Sequence, residues 1–260
     1  MRILSALLFT VLLAAAPVAA QDKTFDETLD IGISTDEISI ASDFTGADIT
    51  IFGAIDKADP NLLAQGKYDI VVALEGPKDN TTVLKKERVF GIWINRRSMT
   101  FELVPASYSM SSTRDVEKIA APDILNSTGV GLNHIRLTPL GYFGDGTDLT
   151  QFRDAFRNRK EVDGLYQRDP GGVQFISSSL FKASVRLPAN IPNGVHIVRA
   201  HLFRNGEFVT EKALPMRVVK TGIEEAITRA AFDKPLAYGF FAVLLAVATG
   251  WLASVVFRRD

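Results

Sequence analysis

Three histidines, His134, His196 and His201, are the residues best suited to metal ligation or proton transfer near neutral pH. His196 and His201 stand five apart in a segment that reads as a strand, so their side chains point to opposite faces and cannot form a local metal pair. They read as packing or surface histidines. The sequence GDGTD puts Asp145 and Asp148 in a glycine-bearing loop, but the spacing lacks the several oxygen ligands of a calcium loop. Asp148 reads instead as a helix cap. The pieces GVG (129–131) and GDG (144–146) lack the strand–turn–helix setting of a phosphate loop. The serines of ISSSLF (176–181) do not form a nucleophile elbow. Cysteine is absent, which removes disulfides, thiolate zinc sites and cysteine nucleophiles. The sequence therefore names no catalytic, cofactor-binding or metal-binding residue, and no cofactor is expected.

One cluster stands out by charge. Lys85, Lys86, Arg88, Arg96 and Arg97 lie close together, with Phe90 and Trp93 among them. They allow a patch for an anion or a protein partner. A plainer reading is a hairpin with polar residues outward and Phe90, Ile92 or Trp93, and Phe101 inward, its bases blunting the sheet edge. The turn of that hairpin is expected around Asn95-Arg96-Arg97. Arg153, Arg157 and Lys160 follow a helical stripe that reads as a solvated face.

The elements that carry these residues follow from apolar period. TLDIGIS, EISI, ADITIFGAI, YDIVVALEGP and RVFGIWINRRSMTFELVP alternate with period two and read as strands. GVQFIS, LFKASVRLP and GVHIVRAHLFRNGEFVTEKALPMRVVK resume the pattern, with an Asn205-Gly206 hairpin turn. Between them, at about 114–172, two helices are expected. One is near 115–121 and is ended by Pro122; the other starts at Asp148, with Gln151 completing a capping box and Leu149, Phe152 and Phe156 on one face. The predicted class is mainly β: an immunoglobulin-like β-sandwich over 21–221 with a helical insertion, or else two separate domains.

The two ends set the topology. Residues 1–20 carry Arg2, an apolar stretch and a Val18-Ala19-Ala20 cleavage pattern, and read as a signal peptide. After a juxtamembrane segment (222–235), residues 236–257 run without a charge, long enough at helical rise to cross a bilayer. Arg258 and Arg259 then predict a cytoplasmic tail, 258–260. Removing Arg2, Arg258, Arg259 and Asp260 leaves 26 bases and 29 acids, a net charge of −3, which gives no reason to expect nucleic acid. Within the span, Ala242, Ala246, Gly250 and Ser254 recur every four residues, a small-residue stripe of the kind that packs helix against helix.

The GIWIN strand (91–95) and PASYSMSSTR (105–114), with the flanking signal, exported region and C-terminal span, resemble a family of predicted transmembrane proteins of alphaproteobacteria. The resemblance covers nearly the whole chain. It implies a body in the periplasm, a helix in the inner membrane and genomic proximity to permeases of the sulfite or organosulfonate exporter type. It brings no catalytic residues. The leading expectation is a non-enzymatic, single-pass accessory or binding protein facing a membrane or envelope partner, with a homodimer through the span as one form. A periplasmic small-ligand sensor, or an enzyme with a site built from distant residues, are the competing readings.

Overall fold

A computed structural model describes residues 26–41, 43–141 and 146–256. The signal segment, Asp145 and the Arg258-Arg259 tail lie outside the described residues. In chain order the elements are β1 (Thr28–Ile33), β2 (Glu37–Ile40), β3 (Ala47–Asp56), α1 (Pro60–Ala64), β4 (Tyr68–Glu75), β5 (Lys78–Val89), β6 (Ile92–Pro105), β7 (Tyr108–Ser112), α2 (Val116–Ile119) and α3 (Pro122–Thr128). A 3-10 turn (Leu132–His134), β8 (Thr138–Pro139), α4 (Gly146–Val162), β9 (Tyr166–Pro170), β10 (Val173–Phe175), β11 (Leu180–Leu187), β12 (Gly194–Arg204), β13 (Glu207–Lys220), α5 (Ile223–Asp233) and α6 (Pro235–Val256) follow.

The body is mainly β, as its apolar periods predict. One sheet has the order β1-β3-β11-β10 and a second the order β2-β13-β12-β4-β7-β9. Ile49, Ile51 and Ile55 of β3 and Phe181, Ala183, Val185 and Leu187 of β11 meet Ile70, Val72 and Leu74 of β4 and Val198, Ala200 and Leu202 of β12 in one core. Alternation explains each set, because every second side chain of a strand faces the opposing sheet. Gly53 interrupts the β3 series where the Phe181 ring comes through, so close that a Cβ there would sit 2.3 Å from it.

β4 is buried on both faces, which explains its unbroken apolar run. Its odd-numbered residues Val71 and Ala73 join a second cluster, with Phe101, Tyr108, Leu125, Leu132, Phe152, Phe156, Tyr166 and Phe203. The helical segment supplies much of this layer, and it ends in β9, which pairs parallel to β7 and so extends the same sheet. Pro122 opens α3 at its first turn as well as ending α2. Asp148 is not the cap of α4, which begins at Gly146; it sits in the first turn, where a carboxylate favours the helix dipole.

The basic stripe of α4 is also not a solvated face. Arg153 donates to Leu137 O, Arg157 Nη2 to Asn133 O at 2.8 Å, and Lys160 Nζ to Ala106 O at 2.8 Å. These bonds satisfy loop carbonyls that have no strand partner, which is why the stripe turns inward. Burial pushes the Lys160 ammonium below its usual pKa.

β5, β6 and β8 form a third, smaller sheet. The hairpin turn lies at Phe90-Gly91, not at Asn95-Arg96-Arg97. Asn205-Gly206 turns β12 into β13 as expected, with both residues at positive φ.

Candidate functional site

The β5–β6 ribbon holds the clustered bases, and its turn explains their placement. Phe90 and Gly91 have φ of 49° and 84°, the left-handed pair of a two-residue hairpin turn. Gly91 adopts this freely, whereas Phe90 does so at a cost of about 1 kcal/mol. The register then pairs Val89 with Ile92, Arg88 with Trp93, Glu87 with Ile94 and Lys86 with Asn95. Opposed residues share a face and successive pairs alternate. One face thus carries Val89, Ile92, Glu87 and Ile94, and the other carries Arg88, Trp93, Lys86 and Asn95.

Arg96 is the extra residue of a bulge, since Lys86 pairs with Asn95 and Lys85 with Arg97. The bulge brings Arg96 and Arg97 together onto Glu87. Arg97 Nε and Nη2 donate to Glu87 Oε1 at 3.1 and 2.9 Å, and Arg96 Nη1 to Oε2 at 3.3 Å. These bonds, Arg97's first, hold the Glu87 carboxyl below its usual pKa. Arg97 also donates to Asp148, and Lys85 Nζ to Gln151 Oε1 at 2.9 Å, which ties the ribbon to α4.

Beyond that tie the ribbon has no covering layer, and residues 91–98 are all exposed. Phe90, Ile92 and Trp93 are 102%, 68% and 66% exposed, which overturns the expectation that they point inward; only Phe101 is buried. The reason is reach. Phe101 lies where the ribbon still meets α4, and the aromatic tip lies beyond it. Lys86 and Arg88 make no hydrogen bond or ion pair among the described residues, so the six-residue patch divides into Lys85, Arg96 and Arg97, which are bonded, and Lys86, Arg88 and Trp93, which face solvent.

A second feature is a polar cleft of about 300 Å³ lined by Glu75, Lys78, Tyr108, Arg136, Arg199 and Glu211, among others. Four of its five charges are engaged with each other, and the fifth, Arg136, donates to Ser127 O at 2.7 Å. Arg199 lies 3.4 Å from Glu75 and 2.8 Å from Glu211, and Lys78 lies 3.6 Å from Glu75. His201, buried behind them, has Nε2 3.2 Å from Glu211 Oε2. Burial outweighs that carboxylate and pushes the imidazole down to about 4.

The other histidines are elsewhere. His196 Nε2 is 3.5 Å from Ser107 Oγ, and His134 Nδ1 is 2.7 Å from Asn126 Oδ1. Among the described residues no three His, Asp or Glu gather into a metal cluster. Ser177 Oγ accepts from Leu180 N, a turn contact.

At the far end of the chain, α6 offers 21 residues (Pro235–Val255) of mean hydropathy 1.9, none of the window buried by the body. A family model described as "Putative transmembrane protein" (Alph_Pro_TM) matches residues 28–259. The chain belongs to this family. Membership and the apolar helix together make it a membrane protein with a mainly β body. No curated protein matches it. Among solved structures, AggA, the major subunit of aggregative adherence fimbriae type I from Escherichia coli, is 8% identical and covers 75% of this chain and 96% of its own, with a TM-score of 0.25. A likeness that low carries no argument.

In this Alph_Pro_TM chain, Ala242, Ala246, Gly250 and Ser254 are all exposed, and a Cβ at Gly250 would meet nothing within 4 Å. Thr249, which sequence reasoning passed over, returns its hydroxyl to Leu245 O at 2.8 Å. Sequence reasoning also missed the Glu75–Arg199–Glu211 network. No local signal could have shown it, because only strand register brings those three residues together.

Proposed function

We propose that the protein is a non-catalytic, single-pass inner-membrane protein that holds an immunoglobulin-like body in the periplasm. Residues 1–20 direct export, α6 anchors, and residues 258–260 stay in the cytoplasm. The β5–β6 ribbon is its docking element toward a membrane or envelope partner. One observation carries this reading: Phe90, Ile92 and Trp93 are presented to solvent beside Lys86 and Arg88, which have no partners among the described residues. Exposed aromatics in a turn that strains Phe90 do not help the body fold, so a binding role accounts for them. A permease of the exporter type, or a second copy recruited through α6, are the protein-level candidates.

The polar cleft supports a second reading, a small-ligand sensor, but its Glu75, Lys78, Arg199 and Glu211 already pair with one another. A photo-crosslinking residue at position 93 of the full chain, in native membranes, tests the docking reading. Adducts at 93 and none at position 207 support it; equal capture at both positions refutes it.

A further inference from the structure

The ribbon's chemistry also identifies what it docks on. We infer that its tip seats in the headgroup region of an acidic phospholipid bilayer, the membrane that α6 itself spans. This rests on the reading of the ribbon as a docking element.

Composition is the first ground. Residues 84–98 contain five bases and one acid, a net charge of +4, and that acid, Glu87, is engaged by Arg96 and Arg97. The remaining free charge near the tip is cationic, complementary to acidic headgroups. Trp93 stands opposite Arg88, and Phe90, Ile92 and Ile94 surround the turn. Aromatic and aliphatic side chains at the very tip, with bases set behind them, match the depth profile of a bilayer interface: apolar groups inward and Lys or Arg at the phosphates. A protein interface of this kind would more often pair aromatics with a shaped pocket than rim them with free lysine.

Placement is the second ground. β12 pairs antiparallel with both β4 and β13, so β4 and β13 run the same way. Glu75, at the end of β4, lies level with Pro215 through Ile197, five residues before β13 ends at Lys220. Pro77 packs against Gly194, which pairs with Val218. The ribbon is therefore rooted at the end of the sheet from which the chain leaves for its membrane helix. Beyond the buried Met99 the projecting part of the ribbon, residues 84–98, reaches about 20 Å, comparable with the length of about 16 Å of the 11-residue α5.

The chain has no cysteine, so single labels are clean. Phe90→Cys and Glu207→Cys, the latter at the opposite end of the β12–β13 hairpin, are each labelled with an environment-sensitive fluorophore. The full chain is reconstituted in vesicles of phosphatidylcholine alone or mixed with phosphatidylglycerol, with acyl-chain spin-labelled lipid as quencher. The label at 90 is expected to shift blue and be quenched, more strongly with phosphatidylglycerol, and the label at 207 to stay in water. Lys86→Gln with Arg88→Gln should lower the docked-to-undocked ratio by about fivefold per residue, with the unfolding midpoint unchanged. A label at 90 that stays in water in both vesicles, or labels at 90 and 207 quenched alike, overturns the inference. If it stays in water while position 93 captures a protein in native membranes, the lipid inference falls and the docking reading survives. If neither is seen, both fall.

Discussion

Trp93 stands directly across the β5–β6 ribbon from Arg88, one pair back from the Val89–Ile92 pair that closes on the Phe90-Gly91 turn. The pairing puts the indole and the guanidinium side by side on one exposed face. It depends on a two-residue turn, because inserting or removing one residue would send Trp93 to the opposite face.

Gly91→Val tests that dependence. Nothing lies within 4 Å of a Cβ at Gly91, so the cost is the positive φ alone, about 1–2 kcal/mol and local to the ribbon. Faster proteolysis and amide exchange are expected within 88–94, with the unfolding midpoint of the body unchanged. Equal loss of protection throughout the chain would show that the ribbon is part of the core's cooperative unit.

Gly53→Ala should destabilise the body itself. The added methyl would lie 2.3 Å from the Phe181 ring and 2.8 Å from Asp30 O, in the middle of the sheet formed by β1, β3 and β11. Overpacking of this kind costs about 1–3 kcal/mol. Denaturant unfolding of the full chain in detergent measures it, and Phe181→Leu in the same chain should recover part of the loss.

His201 predicts weakening in acid. Its folded-state pKa is lowered to about 4, so the fold holds it neutral while the unfolded chain takes up a proton first. Its contribution is complete above about pH 6.5 and is lost progressively as pH falls toward about 4, a loss on the order of 3 kcal/mol. Burial lowers His196 as well, in the same direction. Glu211, Glu75 and Arg199 face His201, and the two carboxylates only partly offset its burial. Unfolding measured across this range should show a steeper pH slope in the native chain than in His201→Phe.

Topology is tested with a reporter active only outside the cytoplasm. Fused near residue 220 it should work, and fused after residue 260 it should fail. Activity at both positions would remove the single-pass orientation.

The α6 stripe predicts helix association. Gly250→Leu and Ala246→Leu should weaken crosslinked complexes while leaving insertion and the body's fold intact, because bulk on that face prevents close backbone approach. A poly-leucine span that keeps the native crosslinking pattern would reduce α6 to an anchor.

The sequence by itself determined the β class, the Asn205-Gly206 turn and the apolar helix at the end, because alternation of period two, a pair able to take positive φ and an uninterrupted apolar run are local properties. It also located the basic cluster. It did not determine which way the aromatics of that cluster face. Phe90, Ile92, Trp93 and Phe101 look alike in a period-two pattern, yet Phe101 is buried under α4 and the other three reach past it. The inward turn of Arg153, Arg157 and Lys160 has the same origin, since a helical stripe does not reveal which loop carbonyls will pass beside it. Glu75, Arg199 and Glu211 become neighbours only through the registers of β4, β12 and β13. Periodicity specifies the face of an element; whether another layer covers that face is decided by residues far away in the chain, and only the tertiary structure brings them there.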